Sequence, residues 1–239
     1  TCFTLDLDDY RVLLQDKPNI APEELAQACK WLTKDLIDFP LEQAAVDVFL
    51  SPTQLAGKNK VYVIVTKLEI LEKIKKICED TSLELFAVDI PELALRNLIV
   101  SQYPSQDIAV LYGRDNFISM VVISDLNIQF IRKVNANLKE GSNLDSIALE
   151  LQRSLDYYQS QMRRPPPHKL LIAPSLTPLR PDLVANLDAQ LTVQVAALDC
   201  PNHDLAEKDW LTHYLVYAQA LRLHVDPLLK PVSTGGSTA

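Results

Sequence analysis

Glycine is scarce in this sequence: five among 239 residues, two of them, Gly235 and Gly236, in a Ser/Thr-rich C-terminal run. Loops that cradle phosphates bring backbone amides close to the ligand and rely on glycine for that approach. Only Gly57, Gly113 and Gly141 remain for such a role. No Gly-rich phosphate loop, G-x-S-x-G turn or H-E-x-x-H helix occurs. The four cysteines, Cys2, Cys29, Cys78 and Cys200, stand far apart, which excludes paired zinc or redox spacing and predicts reduced cytosolic thiols. No stretch approaches the roughly 18 apolar residues that span a bilayer, and the first residues lack a charged-then-apolar signal pattern. Positive charge is short as well: 23 Lys+Arg against 31 Asp+Glu give a net charge of -8. That balance argues against a nucleic-acid partner, since phosphate-backbone binders carry a basic patch. The densest basic cluster, Lys73, Lys75 and Lys76, lies among Glu69, Glu72 and Glu79 on a predicted helix and reads as a solvated face.

Apolar residues make up 48% of the chain, which is ordinary for a soluble globular protein, and the length allows one large core or two small ones. The most structured stretch is 108–134, read as three strands: 108–113 (IAVLYG), 116–124 (NFISMVVIS) and 127–134 (NIQFIRKV). The breaks between them are hairpin-sized, and β-branched and aromatic residues dominate. A helix over 143–162, opening at Ser142 or Asn143, carries the stripe Leu144, Ile147, Leu151, Leu155 and Tyr158, which must pack on the three-stranded meander. Arg163-Arg164-Pro165-Pro166-Pro167 stops that helix and serves as a rigid connector or, less simply, a proline ligand. A strand at 169–173, a helix at 181–187, a strand at 191–198 and a helix at 205–223 follow. The order βββαβαβα is that of the ribonuclease H-like unit that actin-like proteins use twice, and topology alone gives no function. The fold expected is therefore α/β and actin-like, with two units: 1–104, N-terminally incomplete, and 105–225, followed by a flexible tail over 226–239.

The first unit begins with apolar segments 1–7 and 10–14, a hairpin or two successive strands. Thr1 rather than Met opens the sequence, which predicts that an N-terminal piece precedes it. An inserted helix over 22–37 places Leu25, Cys29, Leu32 and Leu36 at helical spacing, and Trp31 covers a flank or an interface or is a half-buried core residue. Strands at 46–50, 61–65 (the most apolar run, read as central) and 83–88 alternate with helices at 68–78 and 91–100. That alternation predicts a mainly parallel sheet.

Candidate chemistry is thin. His203, His213 and His224 are too widely spaced along a helix to share a metal and read as surface or capping residues. Asp35 and Asp38, beside Lys34, read as a solvated face, and Asp6, Asp8 and Asp9 as turn residues. Trp31 and Phe39 are the exposed aromatic candidates for a partner surface.

Three segments carry a resemblance. They are Lys34-Asp35-Leu36-Ile37-Asp38-Phe39-Pro40-Leu41-Glu42 followed by Ala45-Val46-Asp47-Val48-Phe49, the segment Phe86-Ala87-Val88-Asp89-Ile90-Pro91-Glu92-Leu93-Ala94-Leu95-Arg96-Asn97-Leu98, and Leu151-Gln152-Arg153-Ser154-Leu155-Asp156-Tyr157-Tyr158. Together they resemble the MshI family of MSHA pilus biogenesis proteins, which is similar to PilM of type IV pili and to the cytoplasmic part of the type II secretion protein GspL. The resemblance, which runs to about residue 225, implies a cytoplasmic, actin-like scaffold at the bacterial inner membrane. Such a scaffold docks the short cytoplasmic tail of a PilN-like membrane protein and leaves self-association open. In the ATPases of this superfamily the hairpin that opens the second unit reads roughly Asp-x-Gly-x-x-x-Thr and holds metal and phosphates. Here the matching positions are Leu111, Gly113 and Phe117, and the adenosine-side Gly-Gly pair is replaced by Ala173-Pro174-Ser175. Leucine cannot ligate magnesium, so the resemblance implies a non-catalytic scaffold without a cofactor. The alternatives are a divergent ATPase or kinase using Asp115 or Asp125 for the metal, and a GspL-like secretion component.

Overall fold

The computed structural model describes residues 1–114, 116–139, 143–201 and 206–222. The chain opens with β1 (Cys2–Thr4), β2 (Tyr10–Asp16), α1 (Leu25–Leu32), β3 (Ala44–Leu50), β4 (Lys60–Lys67), α2 (Leu68–Asp80), β5 (Ala87–Asp89) and α3 (Pro91–Gln102). It continues with β6 (Ile108–Arg114), β7 (Phe117–Ser124), β8 (Asn127–Asn135), α4 (Asp145–Met162), β9 (Lys169–Ile172), α5 (Leu183–Gln190), β10 (Gln194–Ala197) and α6 (Glu207–Ala220).

The later elements follow the expected order βββαβαβα and form one five-stranded sheet, β10-β9-β6-β7-β8. Short turns make β6, β7 and β8 antiparallel, while the α4 and α5 crossovers lay β9 and β10 parallel to β6. Both faces of the sheet are covered, so β6 and β7 are buried almost throughout. On one face the predicted α4 stripe, Leu144, Ile147, Leu151, Leu155 and Tyr158, packs with Leu111, Ile118 and Met120. Asn143 Oδ1 accepts from the Asp145 amide at 2.8 Å at the start of α4, and Ser142 lies outside the described residues. On the other face α3 and α6 bring Leu95, Leu98, Trp210 and Tyr214 against Val110, Tyr112 and Val121.

The first half departs from the mainly parallel sheet expected of it. β2, β4 and β3 form an antiparallel sheet in that order, and only β1 and β5 pair in parallel. The cause is the connection between β3 and β4: residues 51–59 are too few for a parallel crossover, which takes a dozen or more. β4 is the central strand, as its apolar run indicates. Its residues alternate strictly: Val61, Val63 and Val65 face Leu25 and Cys29 of α1, whereas Tyr62 and Ile64 face away from that core. The segments 1–7 and 10–14 are two successive strands in different sheets. The strand expected at 83–88 is confined to Ala87–Asp89.

The inserted helix is also shorter than its periodicity predicts. α1 ends at Leu32, and Lys34–Leu36 is a 3-10 turn. A 3-10 turn advances each residue by more than an α-helix does, so Leu36 falls out of phase with the stripe, while Leu32 is the last residue of α1. Leu25 and Cys29 are buried, but Leu32 and Leu36 are exposed. Trp31 is 64% exposed, which removes the core reading of this residue.

Candidate functional site

The β6–β7 hairpin is the place to test for phosphate chemistry. Leu111 is fully buried and points into the core beneath α4. Gly113 is packed so closely that a Cβ would lie 2.3 Å from the Phe117 carbonyl oxygen and 2.8 Å from Ile118 Cα. Hairpin packing alone therefore requires this glycine. Phe117 is buried, with the Lys133 Nζ 3.6 Å from its ring centroid, a cation–π contact. The three positions thus present apolar surface and one ammonium.

Asp115 lies outside the described residues. Asp125 sits in the turn at the other end of β7, paired with Arg164 at 2.8 Å. At 3.3 Å per residue it stands roughly 25 Å from Gly113, so the two cannot serve one metal. His213 is exposed, at a kink in α6, while His203 and His224 lie outside the described residues. Among the described residues no cluster of His, Cys, Asp or Glu could hold a metal ion.

Beside this hairpin a cavity of about 490 Å³ opens between β1 and α6, bordered by Gly113, Arg114, Ser175 and Tyr214. Ala173 and Pro174 are buried, and Tyr214 Oη lies 3.1 Å from Ser175 Oγ. Burial pushes the Tyr214 phenol up to about 12, against the pull of the Ser175 hydrogen bond. Arg114, which lines the cavity, pairs with Asp6, another lining residue, and with Asp8, the latter at 3.0 Å. Asp6 and Asp8 are therefore more than turn residues. They tie the first half to the second through a cation supplied by the protein itself.

A second tie is buried. Asp89, at the end of β5, accepts from Gln219 Nε2 at 2.9 Å and from the Arg222 guanidinium, both on the last helical segment. A third lies at Gln129, the extra residue where the β7–β8 register slips. Its side chain accepts from Thr53 Oγ1 at 2.6 Å and donates to the Ser124 carbonyl, and its own carbonyl accepts from Tyr62 Oη at 3.3 Å. An acid at the end of an apolar strand, such as Asp89, is itself a sequence signal of a paired buried charge. The partners 130 residues away carry no such signal.

A predominantly apolar concavity lies within the first half. A groove of about 420 Å³ runs between the β1–β5 pair and the β3–β4 strands and is closed by the start of α2. Leu5, Val46, Ile64, Leu68, Leu71 and Val88 form its walls; Asp47, Glu72 and Lys75 form its rim. The alternation of β4 explains why Ile64 turns here while Val63 and Val65 fill the core beneath α1. Apolar walls with few rim charges suit the side chains of a peptide segment. Two acids to one base on the rim favour a segment with a basic residue. Of the two aromatic candidates, Trp31 is exposed, whereas Phe39 is half-buried against the first-half core with Lys67 above its ring. Neither lines the groove.

No family model matches the chain. No curated protein matches it either. Solved structures do: a chain of a PilM–PilN type IV pilus biogenesis complex superposes over 92% of this chain and 78% of its own length, with a TM-score of 0.70 at 17% identity. A Bacteroides thetaiotaomicron protein with an actin-like ATPase fold matches over 86% of this chain and 70% of its own, with a TM-score of 0.50 at 11% identity. The cytoplasmic domain of EpsL, an inner-membrane component of the Vibrio cholerae type II secretion system, matches over 91% of this chain and 72% of its own, with a TM-score of 0.46 at 12% identity. The chain has the actin-like ATPase fold, and the order βββαβαβα of its later elements agrees with it. Identities this low establish the fold alone.

Proposed function

We propose that this chain is a non-catalytic, actin-like scaffold of a type IV pilus assembly platform of the MSHA type. It acts at the cytoplasmic face of the inner membrane by binding the cytoplasmic tail of a PilN-like membrane protein. The observation that supports this most is the apolar groove between β1–β5 and β3–β4, in a chain whose fold is shared over 92% of its length with a chain of a PilM–PilN complex. Ile64 and Leu71 stay only half-buried on this side of the sheet, and the groove offers the anchors that an extended or helical segment uses. The basic residue expected on such a tail meets Asp47 and Glu72. Among the described residues no helix is long and apolar enough to cross a membrane; in this reading the PilN-like partner supplies the attachment.

The non-catalytic half of the proposal rests on Leu111 facing the core, Phe117 filling the hairpin and Arg114 engaging Asp6 and Asp8. Two experiments test the proposal. A PilN-like membrane protein of the same organism should co-purify with it and cease to do so when its cytoplasmic tail is removed; no co-purification, or co-purification unchanged without the tail, would overturn the docking reading. Mg-ATP should leave the melting temperature unchanged, whereas specific binding at a hundred times the dissociation constant would add about 2.7 kcal/mol and restore the enzyme reading.

A further inference from the structure

A third cavity, of about 480 Å³, lies between β2 and the α3-covered face of the five-stranded sheet and shares no lining residue with the apolar groove. Its floor is built from one cross-strand row: Tyr112 pairs with Ser119, and Ser119 pairs with Lys133. Period-two alternation puts all three side chains on one face. The first turn of α3 delivers Glu92 to the same place, 3% exposed, where Tyr10 Oη donates to its Oε2 at 2.8 Å. Val12, Leu14 and Ile131 make the walls apolar.

Two demands are left open. At the floor, the Tyr112 hydroxyl is completely buried among Glu92, Ser119 and Tyr10 and interacts with all three without reaching a hydrogen bond of normal distance and angle. A buried polar group without a partner costs free energy, and so does a buried carboxylate that faces no cation at contact distance. At the rim, the Lys133 ammonium rests on the Phe117 ring and acts on the Glu92 carboxylate through space rather than in contact. An ammonium group has three donors, matching the Glu92 carboxylate and the Tyr112 and Ser119 oxygens, and a carboxylate would pair with Lys133. Val12, Leu14, Ile131 and the Tyr62 ring line the length between floor and rim, and the charged lining residues Asp8 and Arg11 are held in ion pairs with Arg114 and Asp38.

We propose that this cavity binds a small zwitterion with an aliphatic body, of the class of free L-amino acids, with its ammonium on Glu92 and its carboxylate on Lys133. Burial raises the Glu92 carboxyl above the usual carboxylate range, and an incoming ammonium would offset that cost. The proposal does not depend on the pilus reading.

Calorimetric titration of the full chain with L-leucine, isoamylamine and isocaproate tests it. L-leucine should bind saturably, isoamylamine more weakly and isocaproate least. Glu92→Gln should weaken L-leucine and isoamylamine by roughly tenfold or more, and Lys133→Ala should weaken L-leucine while sparing isoamylamine. Tyr112→Phe, which removes one oxygen and keeps the packing, should also weaken the amine, and it supplies the reading if Glu92→Gln does not fold. No saturable binding of L-leucine or isoamylamine up to about 10 mM, affinity for isocaproate equal to that for L-leucine, or affinity unchanged in Glu92→Gln and Tyr112→Phe would overturn the proposal.

Discussion

Replacing Gly113 with alanine separates a packing role for this glycine from a ligand-binding one. An added Cβ would meet the Phe117 carbonyl oxygen at 2.3 Å and Ile118 Cα at 2.8 Å. Both are backbone atoms of β7, whose flanking residues are fixed by pairing with β6 and β8, so no side-chain rotation relieves the contact. Overpacking of this kind costs about 1–3 kcal/mol. The φ of 156° adds roughly 1 kcal/mol for a non-glycine residue. A loss of about 3 kcal/mol is expected, a large share of the roughly 5–15 kcal/mol that holds a domain together. Gly57 is the internal control: its φ is 75° but nothing lies within 4 Å of a Cβ, so Gly57→Ala should cost only the strain, about 1 kcal/mol. Urea denaturation followed by circular dichroism measures both, with the slopes compared to confirm that the same surface is exposed. If Gly113→Ala loses less than about 0.5 kcal/mol, the range of a neutral surface change, the packing account is wrong and the glycine is there for something else.

Asp89→Asn leaves the Arg222 guanidinium without its carboxylate in a largely buried setting, and a loss of about 3 kcal/mol is expected because one partner of a buried pair is removed; chemical denaturation reads it, and hydrogen exchange should show α6 loosening first. Glu92→Gln should alter the pH dependence of stability. Burial raises the folded-state pKa of Glu92 above its ordinary 4.5, so above that value the unfolded chain gives up a proton that the folded chain keeps. The wild type should therefore lose stability relative to Glu92→Gln as the pH rises from 4.5 through the folded pKa. A constant difference from pH 4 to 8, tested over roughly that range, would show that Glu92 is not desolvated.

The second unit is largely legible in the sequence because its signals are local. Two hairpin-sized breaks set β6, β7 and β8, and the Leu144-to-Tyr158 spacing both locates α4 and identifies the face it buries. The actin-like expectation follows from that order. In the first half the sequence misleads where local pattern and tertiary context disagree. Alternating strands and helices suggest a parallel sheet, although the short 51–59 connection already limits β3 and β4 to antiparallel pairing. The α1 stripe continues to Leu36 on paper, while the helix ends at Leu32, which is itself in solvent, and the 3-10 turn that follows leaves Leu36 there too. The positions matched to phosphate chemistry, Leu111, Gly113 and Phe117, do come together on one hairpin. The groove and the ties through Arg114, Asp89 and Gln129 join residues far apart in the chain, and no spacing rule marks them.

Docking of the PilN-like tail in the groove between β1–β5 and β3–β4 is tested most directly by fluorescence anisotropy of a labelled tail peptide, titrated with the wild type and with Leu71→Glu. Leu71 lines the groove without being fully buried, so the variant should keep the wild-type melting temperature while losing affinity by at least about tenfold. Equal affinity for the two proteins would place the tail elsewhere and contradict the account.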